Sequence, residues 1–302
     1  MTQREQTLFD APGDILTLAY QAFIVSRQAK GVTASTLRYY RAHLPRFVAY
    51  LREQSVSTPN QITSHHIRSF LVAQKERGLK PAAVHIYARQ IKTFCIFCQR
   101  EEFADSNPMA RVDMPKVPQT ILPAYTSTEL RAILKACKQQ RDRAIVLVLL
   151  DTGLRASEAL GLTVGDIDLG TGNVMVHQGK GGKDRMVYLG PRTRRELIRY
   201  WRERDGLLDD APAWMDQRGK ALRYWGLRQM FERLSERSGV KITAHGFRRT
   251  FAIEMLRNGA SIYHLQRLMG HSDLTVLRRY LDLAETDLSD AHRKASPVDH
   301  ML

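Results

Sequence analysis

Asn107-Pro108-Met109-Ala110-Arg111-Val112-Asp113-Met114-Pro115-Lys116-Val117-Pro118-Gln119-Thr120-Ile121-Leu122-Pro123 is the stretch on which the fold turns. Its four prolines fall within 16 residues. Proline has no N–H to give to a helix and fixes its own φ, so such a run favours an extended, semi-rigid connector. Residues 108–123 are therefore predicted to link a domain over residues 1–107 to a second over residues 124–302. A chain of 302 residues is long enough for two domains, each with its own core.

Upstream of the connector the pattern is helical throughout. Apolar residues recur at three- and four-residue spacings in Ile15–Ala29, Ser35–Glu53, Ser64–Arg77 and Pro81–Glu102. Ser35 and Ser64 are expected N-caps, and Pro81 suits a first turn. Four or five such helices make a compact bundle. Downstream the pattern is mixed. Thr126-Ser127-Thr128-Glu129 reads as a helix start, and Arg141 to Leu150 as a buried helix. Three short runs follow, Val164–Leu169, Val174–Gln178 and Arg185–Leu189, separated by turn-forming clusters at residues 170–173 and 179–184. They predict a three-strand antiparallel meander. Helices are expected near Thr193–Arg204, Tyr224–Ser238, Gly246–Asn258, Ile262–Met269 and Leu274–Leu283. The fold class is thus mainly α with a small antiparallel β-meander.

A net charge of +15 points to a partner of dense negative charge, with nucleic acid first and an anionic membrane surface second. Apolar residues are 43% and charged residues 25%, the balance of a globular protein rather than a disordered one. The opening residues Met1 to Gln6 are polar and carry both signs, so no secretory signal is predicted and a cytoplasmic location is expected. The longest strongly apolar run, Ala144 to Leu150, is far too short to span a bilayer. Cys95 and Cys98 have C-x-x-C spacing but lie in a helical apolar pattern without a second ligand pair. They are read as core residues, with no metal and no disulfide.

Chemistry is carried by five short segments. In Asp151-Thr152-Gly153-Leu154-Arg155-Ala156-Ser157-Glu158, Gly153 breaks one helix just before Arg155 opens another. A guanidinium would then sit at a helix N-terminus, where backbone N–H groups also favour phosphate. A surface arginine paired with Glu158 at i, i+3 is the plainer reading of the same residues. In Ala244-His245-Gly246-Phe247-Arg248-Arg249-Thr250, His245 and Arg248 share one helical face. Leu268-Met269-Gly270-His271-Ser272 places His271 in a turn, and nine residues later Arg278-Arg279-Tyr280 lies on a helix with Leu274 and Leu277 on its apolar face. Gly179-Lys180-Gly181-Gly182-Lys183-Asp184 is a hairpin tip with two lysines. It lacks the G-x-x-x-x-G-K-[ST] pattern of a nucleotide-binding loop, so ATP is not expected. Each segment alone has an ordinary structural explanation.

Their order does not. Arg, hairpin Lys, His-x-x-Arg, Gly-His and then Tyr resembles the tyrosine recombinase (lambda-integrase) superfamily, and within it the Xer-like recombinases and integrases. The resemblance covers nearly the whole chain. It implies an N-terminal helical core-binding (SAM-like) bundle and a C-terminal α+β catalytic domain with a tail. It implies that Tyr280 attacks a DNA phosphate to give a 3′-phosphotyrosine and that Arg155 and Arg248 clamp the non-bridging oxygens. His245 would take the tyrosine proton or hold the phosphate, and His271 would hydrogen-bond the developing oxyanion. Lys180 would protonate the leaving 5′-oxygen, although Lys183 in the same loop is an open alternative. Glu158 would orient the site. No cofactor or metal is implied, since arginines and a lysine supply the electrostatics.

The partner implied is double-stranded DNA with inverted-repeat core sites, bound by a homotetramer joined through exchange of its C-terminal tails and acting through a Holliday junction. A second recombinase or accessory protein is compatible with this, and a membrane partner is not expected. Outside the site, Arg38, Arg41, Lys80, His85, Arg89 and Lys92, with Arg223 and Arg228, are candidate DNA contacts. Three other readings compete: a DNA-binding regulator that keeps the fold without the activity, a type IB topoisomerase, and, more distantly, a metal-dependent nuclease. A binding module needs no tyrosine at position 280.

Overall fold

The computed structural model describes residues 14–118, 122–177, 184–204 and 207–270, together with positions 280, 296 and 298. The chain divides into two compact units, residues 1–120 and 121–302.

The first unit is helical among its described residues: α1 (Ile15–Ala29), α2 (Ala34–Glu53), α3 (Ser64–Glu76) and α4 (Pro81–Arg100). Their apolar stripes meet in one core that includes Leu16, Phe23, Phe47, Phe70, Ile91 and Phe94. Phe23 meets the Phe94 and Phe97 rings edge to face, at 5.6 and 5.4 Å between centroids, the arrangement that aromatic quadrupoles favour. Pro81 opens α4 as expected. The N-caps differ from the sequence reading. Thr33 and Thr63, not Ser35 and Ser64, hold the extended backbone at the entry, and their hydroxyls accept from the N–H groups of Thr36 and His66 at 3.2 Å each. A cap needs its oxygen ahead of the first turn, and the two serines already lie within it. Cys95 and Cys98 pack in this core, where burial pushes both thiols up.

Part of the proline-rich stretch belongs to this unit. Pro108–Arg111 forms a 3-10 turn, and Met109 and Val112 are buried against the helices. Arg68 donates to the Arg111 carbonyl at 2.5 Å, and His85 Nδ1 lies 2.8 Å from the Pro115 carbonyl.

The second unit comprises α5 (Ser127–Ala136), α6 (Gln140–Thr152), α7 (Ala156–Leu160), β1 (Asn173–Val176), β2 (Arg185–Tyr188), α8 (Pro191–Arg202), α9 (Tyr224–Ser238), α10 (Ala244–Arg257) and α11 (Ile262–Met269). Helix α6 is apolar on nearly every side because it runs through the middle, against α8 and α10. β1 and β2 pair antiparallel, Val174 opposite Val187, with Val174, Val176 and Val187 facing the core. The three-strand meander is corrected to two strands. Of the first run, only Ile167 bridges to Val174. That bridge is made by the Met175 N–H on the Asp166 carbonyl and the Asp168 N–H on the Asn173 carbonyl, at 2.9 Å each, while Val164 and Gly165 donate away from the sheet, to the carbonyls of Ala211 and Asp209 at 2.9 and 2.8 Å. A strand cannot form where the ladder bonds are already spent.

Asp142 joins α6 to α9. It is 1% exposed, accepts from Arg141 at 2.8 Å and from Arg233 at 2.8 Å. Removing one member of a buried ion pair strands the others, at a cost of about 3–5 kcal/mol. Asp142→Ala should therefore lower the unfolding free energy by that amount in urea titrations. A loss of only a few tenths would show that water solvates the two arginines.

Candidate active site

The site begins where α6 ends. Gly153 takes the left-handed conformation, φ 62°, and a Cβ there would lie 2.3 Å from the Phe251 ring. Only glycine allows both the turn and that approach. The chain then extends through Arg155, which is the N-cap residue of α7. Glu158, in the first turn of α7, accepts from the Arg155 backbone N–H at 2.8 Å and from its guanidinium at 2.6 Å. The plain i, i+3 pairing and the helix-start placement are thus both present.

Helix α10 supplies Arg248, which is 4% exposed. Its guanidinium donates to the Gly153 carbonyl at 2.6 Å and to the Met269 carbonyl at 2.7 Å. The helix start is itself braced. Tyr125 donates its backbone N–H to the Thr250 hydroxyl at 2.8 Å, and Arg249 donates to the Pro123 carbonyl at 2.8 Å.

The end of α11 gathers the arginines. Arg185 donates to the Leu268 carbonyl at 2.8 Å, Arg248 to Met269, and Arg155 to Gly270 at 3.4 Å. Successive carbonyls of one helix C-terminus thus each receive a different guanidinium. The negative end of the helix dipole favours such cations. Gly270 closes α11 with φ 63°. Burial, first, and the neighbouring Arg155 lower the Arg248 pKa to about 10, while Glu158 and Tyr280 act to raise it.

Tyr280 is 6% exposed and packs with Phe251, Ala252, Leu265 and Met269. It lies close enough to Arg248 to act on its charge. His245, in the first turn of α10, has a lowered pKa, from desolvation first and then from the charges of Arg249 and Arg248. Arg155, Glu158, Arg248 and Tyr280 are therefore drawn together, with His245 close by. Lys180, Lys183 and His271 lie outside the described residues, as does the helix expected near Leu274–Leu283 apart from Tyr280. In the first unit Arg38, Arg41, Lys80, Arg89 and Lys92 are exposed, while His85 is tied to the Pro115 carbonyl. Arg89 borders a groove between α2 and α4 lined also by Ser35, Thr36, Tyr39 and Gln90. In the second unit Arg223 and Arg228 are exposed, the latter paired with Glu232 at 2.9 Å.

The sequence reading missed Arg185. It opens β2, its side chain is only 10% exposed, and it grips both oxygens of Glu158, at 3.1 and 2.7 Å. The available signal was a charge at the start of a strand with a buried face, the last of three in a row, Lys183-Asp184-Arg185. That signal does not name the partner.

Burial works to raise the Glu158 pKa, but hydrogen bonds from Arg185 and Arg155 overcome it and bring it to about 2. The folded value lies below the unfolded one. The resulting stability is therefore present above about pH 4.5 and is lost as pH falls toward 2. The shift corresponds to roughly 3 kcal/mol. The stability difference between the wild type and Glu158→Gln should shrink by about that much between pH 5 and pH 2. A difference independent of pH would contradict this.

Chemically, the arrangement is a cluster of fixed guanidiniums beside a phenol. Planar, always-charged donors match the oxygens of a phosphate, and a phenolic oxygen is a nucleophile once its proton has somewhere to go.

Comparison with known proteins agrees with this chemistry. The family model described as phage integrase family matches residues 124–287, and the phage integrase N-terminal SAM-like domain matches residues 23–102. Tyrosine recombinase XerC of Oceanobacillus iheyensis is 29% identical over 281 residues, covering 89% of this chain and 92% of that protein. Tyrosine recombinase XerD of Pseudomonas putida is 30% identical over 279 residues, covering 89% and 93%. Among solved structures, the Tn1549 transposon integrase in complex with circular intermediate DNA has the same fold, with a TM-score of 0.75 at 20% identity over 94% of this chain and 99% of that one. A lambda integrase dimer bound to a COC′ core site aligns with a TM-score of 0.73 at 19% identity, covering 90% and 78%.

Proposed function

Because the chain belongs to the phage integrase family, we propose that it is a site-specific DNA recombinase that cuts and rejoins strands through a 3′-phosphotyrosine on Tyr280. The observation that carries the reading is the meeting of Arg155 and Arg248 at the end of α11, with Tyr280 near enough to influence Arg248.

The Tyr280 phenolic oxygen attacks the scissile phosphorus. A bond forms from that oxygen to phosphorus, and the bond from phosphorus to the 5′-oxygen breaks. Arg155 and Arg248 bind the two non-bridging oxygens, whose charge grows in the transition state. Their guanidiniums are already immobilised by backbone carbonyls, so little reorganisation is needed at the moment of reaction. The phenol proton passes to His245, whose lowered pKa leaves it neutral and able to accept near pH 7. Lys180 protonates the departing 5′-oxygen, with Lys183 as the alternative donor, and His271 hydrogen-bonds the phosphate. One phosphodiester is exchanged for another ester of similar energy, so a free 5′-hydroxyl can reverse the step without ATP.

Two DNA sites with inverted repeats would be joined by a homotetramer, with the tail over residues 284–302 docking on a neighbouring protomer and strand pairs exchanged through a Holliday junction. Residues 1–107 form the core-binding domain in this reading, residues 108–123 the connector and residues 124–302 the catalytic domain. Arg38, Arg41, Lys80, His85, Arg89 and Lys92 with Arg223 and Arg228 are the proposed contacts to the duplex. Phosphate contacts of this kind set position and give affinity a steep dependence on salt. The site of action is cytoplasmic DNA, with an accessory protein or second recombinase as a further partner.

The test is a covalent selection. Duplexes with a randomised core of about 30 base pairs, enough for two half-sites of roughly one helical turn each, are incubated with the protein. DNA that becomes covalently attached is then recovered and sequenced. An inverted-repeat consensus is expected. Bound but never covalently attached DNA would instead identify a DNA-binding regulator, and cleavage without sequence preference a topoisomerase.

A further inference from the structure

Outside the residues assigned above, Arg185 is the charged group of the second unit that is bonded directly to the Glu158 carboxylate and to the end of α11. Its Nη1 and Nη2 bind the two oxygens of Glu158 at 3.1 and 2.7 Å, and its Nε donates to the Leu268 carbonyl at 2.8 Å. Glu158 in turn is bound by Arg155 at 2.6 Å. One buried carboxylate is therefore shared between an arginine assigned to the phosphate and one that is not.

That sharing has an electrostatic consequence. A carboxylate 2.6 Å from Arg155 is a competitor for the same guanidinium that the DNA phosphate needs. In a partly dry site the competition is strong, because charges interact there several times more strongly than in water. Arg185 supplies Glu158 with a counter-charge of its own, on both oxygens. The carboxylate can then hold Arg155 in place without cancelling it. Arg155, Arg185 and Arg248 against Glu158 leave a surplus of two positive charges, and without Arg185 that surplus is halved.

We propose that Arg185 is a positioning residue for strand cleavage, neutralising Glu158 so that Arg155 keeps its charge for the scissile phosphate. This rests on the recombinase reading of the site. Arg185 itself touches neither the phosphate nor the nucleophile in this scheme. Its second anchor, the Leu268 carbonyl, sets the strand β2 against the helix whose next carbonyls hold Arg248 and Arg155.

The experiment is single-turnover cleavage at saturating DNA, on a nicked suicide duplex built from the sequence that the covalent selection recovers. Two versions are compared: an ordinary scissile phosphodiester, and one in which a neutral methylphosphonate replaces it. Arg185→Gln should cleave the phosphodiester roughly 10- to 100-fold more slowly than the wild type, the usual scale for a partner one shell out from the reacting group. On the methylphosphonate, which carries no charge for Arg155 to offset, the deficit should fall to within a few-fold. Glu158→Gln combined with Arg185→Gln removes the competitor together with its counter-charge. It should cleave the phosphodiester faster than Arg185→Gln alone, though short of the wild-type rate because Glu158 no longer holds Arg155. Equal losses on the two substrates, with no recovery in the double variant, would overturn the proposal and leave Arg185 a purely structural strut. Wild-type rates in Arg185→Gln would overturn it as well. If the wild type forms no covalent adduct with any duplex, the recombinase reading falls, and this proposal with it.

Discussion

Tyr280→Phe should abolish covalent attachment to DNA while leaving folding and DNA binding intact. The ring of Tyr280 is buried among Phe251, Ala252, Leu265 and Met269, and phenylalanine preserves that packing. What is lost is one oxygen, the atom that bonds to phosphorus. Removing the nucleophile of an enzyme that works through a covalent intermediate costs on the order of a millionfold in the chemical step. Neither a histidine nor a lysine can replace it, since the intermediate must be an ester stable enough to await the second strand. Binding should change by no more than a few-fold, because the phosphate is held by arginines rather than by the phenol. The measurement pairs adduct formation on a suicide duplex with an equilibrium binding titration. Residual adduct at a tenth of the wild-type rate would mean that another residue is the nucleophile.

Arg248→Lys should be nearly as damaging, although the charge is kept. The guanidinium of Arg248 reaches the carbonyls of Gly153 and Met269 at once, at 2.6 and 2.7 Å. These two carbonyls mark the end of α6 and the end of α11. A lysine ammonium is a compact point charge on a flexible stem and cannot span both while also facing a phosphate. One carbonyl is then buried without a donor, at about 1–3 kcal/mol. The phosphate loses a fixed charge-assisted donor as well, for which a fall of about 10²–10³ in the cleavage rate is expected. Urea denaturation reads the first effect and single-turnover cleavage the second. A variant with wild-type stability and rate would show that Arg248 is neither a strut nor a clamp.

The helices were the most legible part of this chain. Ile15–Ala29, Tyr224–Ser238 and Ile262–Met269 begin and end where the apolar period does, because each presents one stripe to a core. Elements whose limits depend on partners far along the chain were less legible. Val164–Leu169 alternates like a strand, but its first two residues bond to residues 211 and 209, which no local pattern announces. The threonine caps were misplaced by one or two positions for a smaller reason. Serine and threonine look alike as caps, and only the backbone entering the helix distinguishes them.

The site divides in the same way. Arg155, Arg248 and Tyr280 could be proposed from the order of short segments, because that order resembles a known family's. Arg185 could not. Its meaning lies in a carboxylate 27 residues earlier and a carbonyl 83 residues later, and the fold alone brings these together. The burial of Tyr280 was half legible: its apolar neighbours in the sequence were visible, and its packing with Phe251 and Met269 was not.

The central claim is that the phenolic oxygen of Tyr280 becomes bonded to a DNA phosphorus. Its most direct test is mass spectrometry of the nuclease- and protease-digested adduct trapped on a suicide duplex. The account predicts a single modified peptide, with a 3′-linked nucleotide on Tyr280 and a free 5′-hydroxyl on the released strand. A nucleotide joined to any other side chain, or a 5′-phosphate on the modified tyrosine, would contradict it.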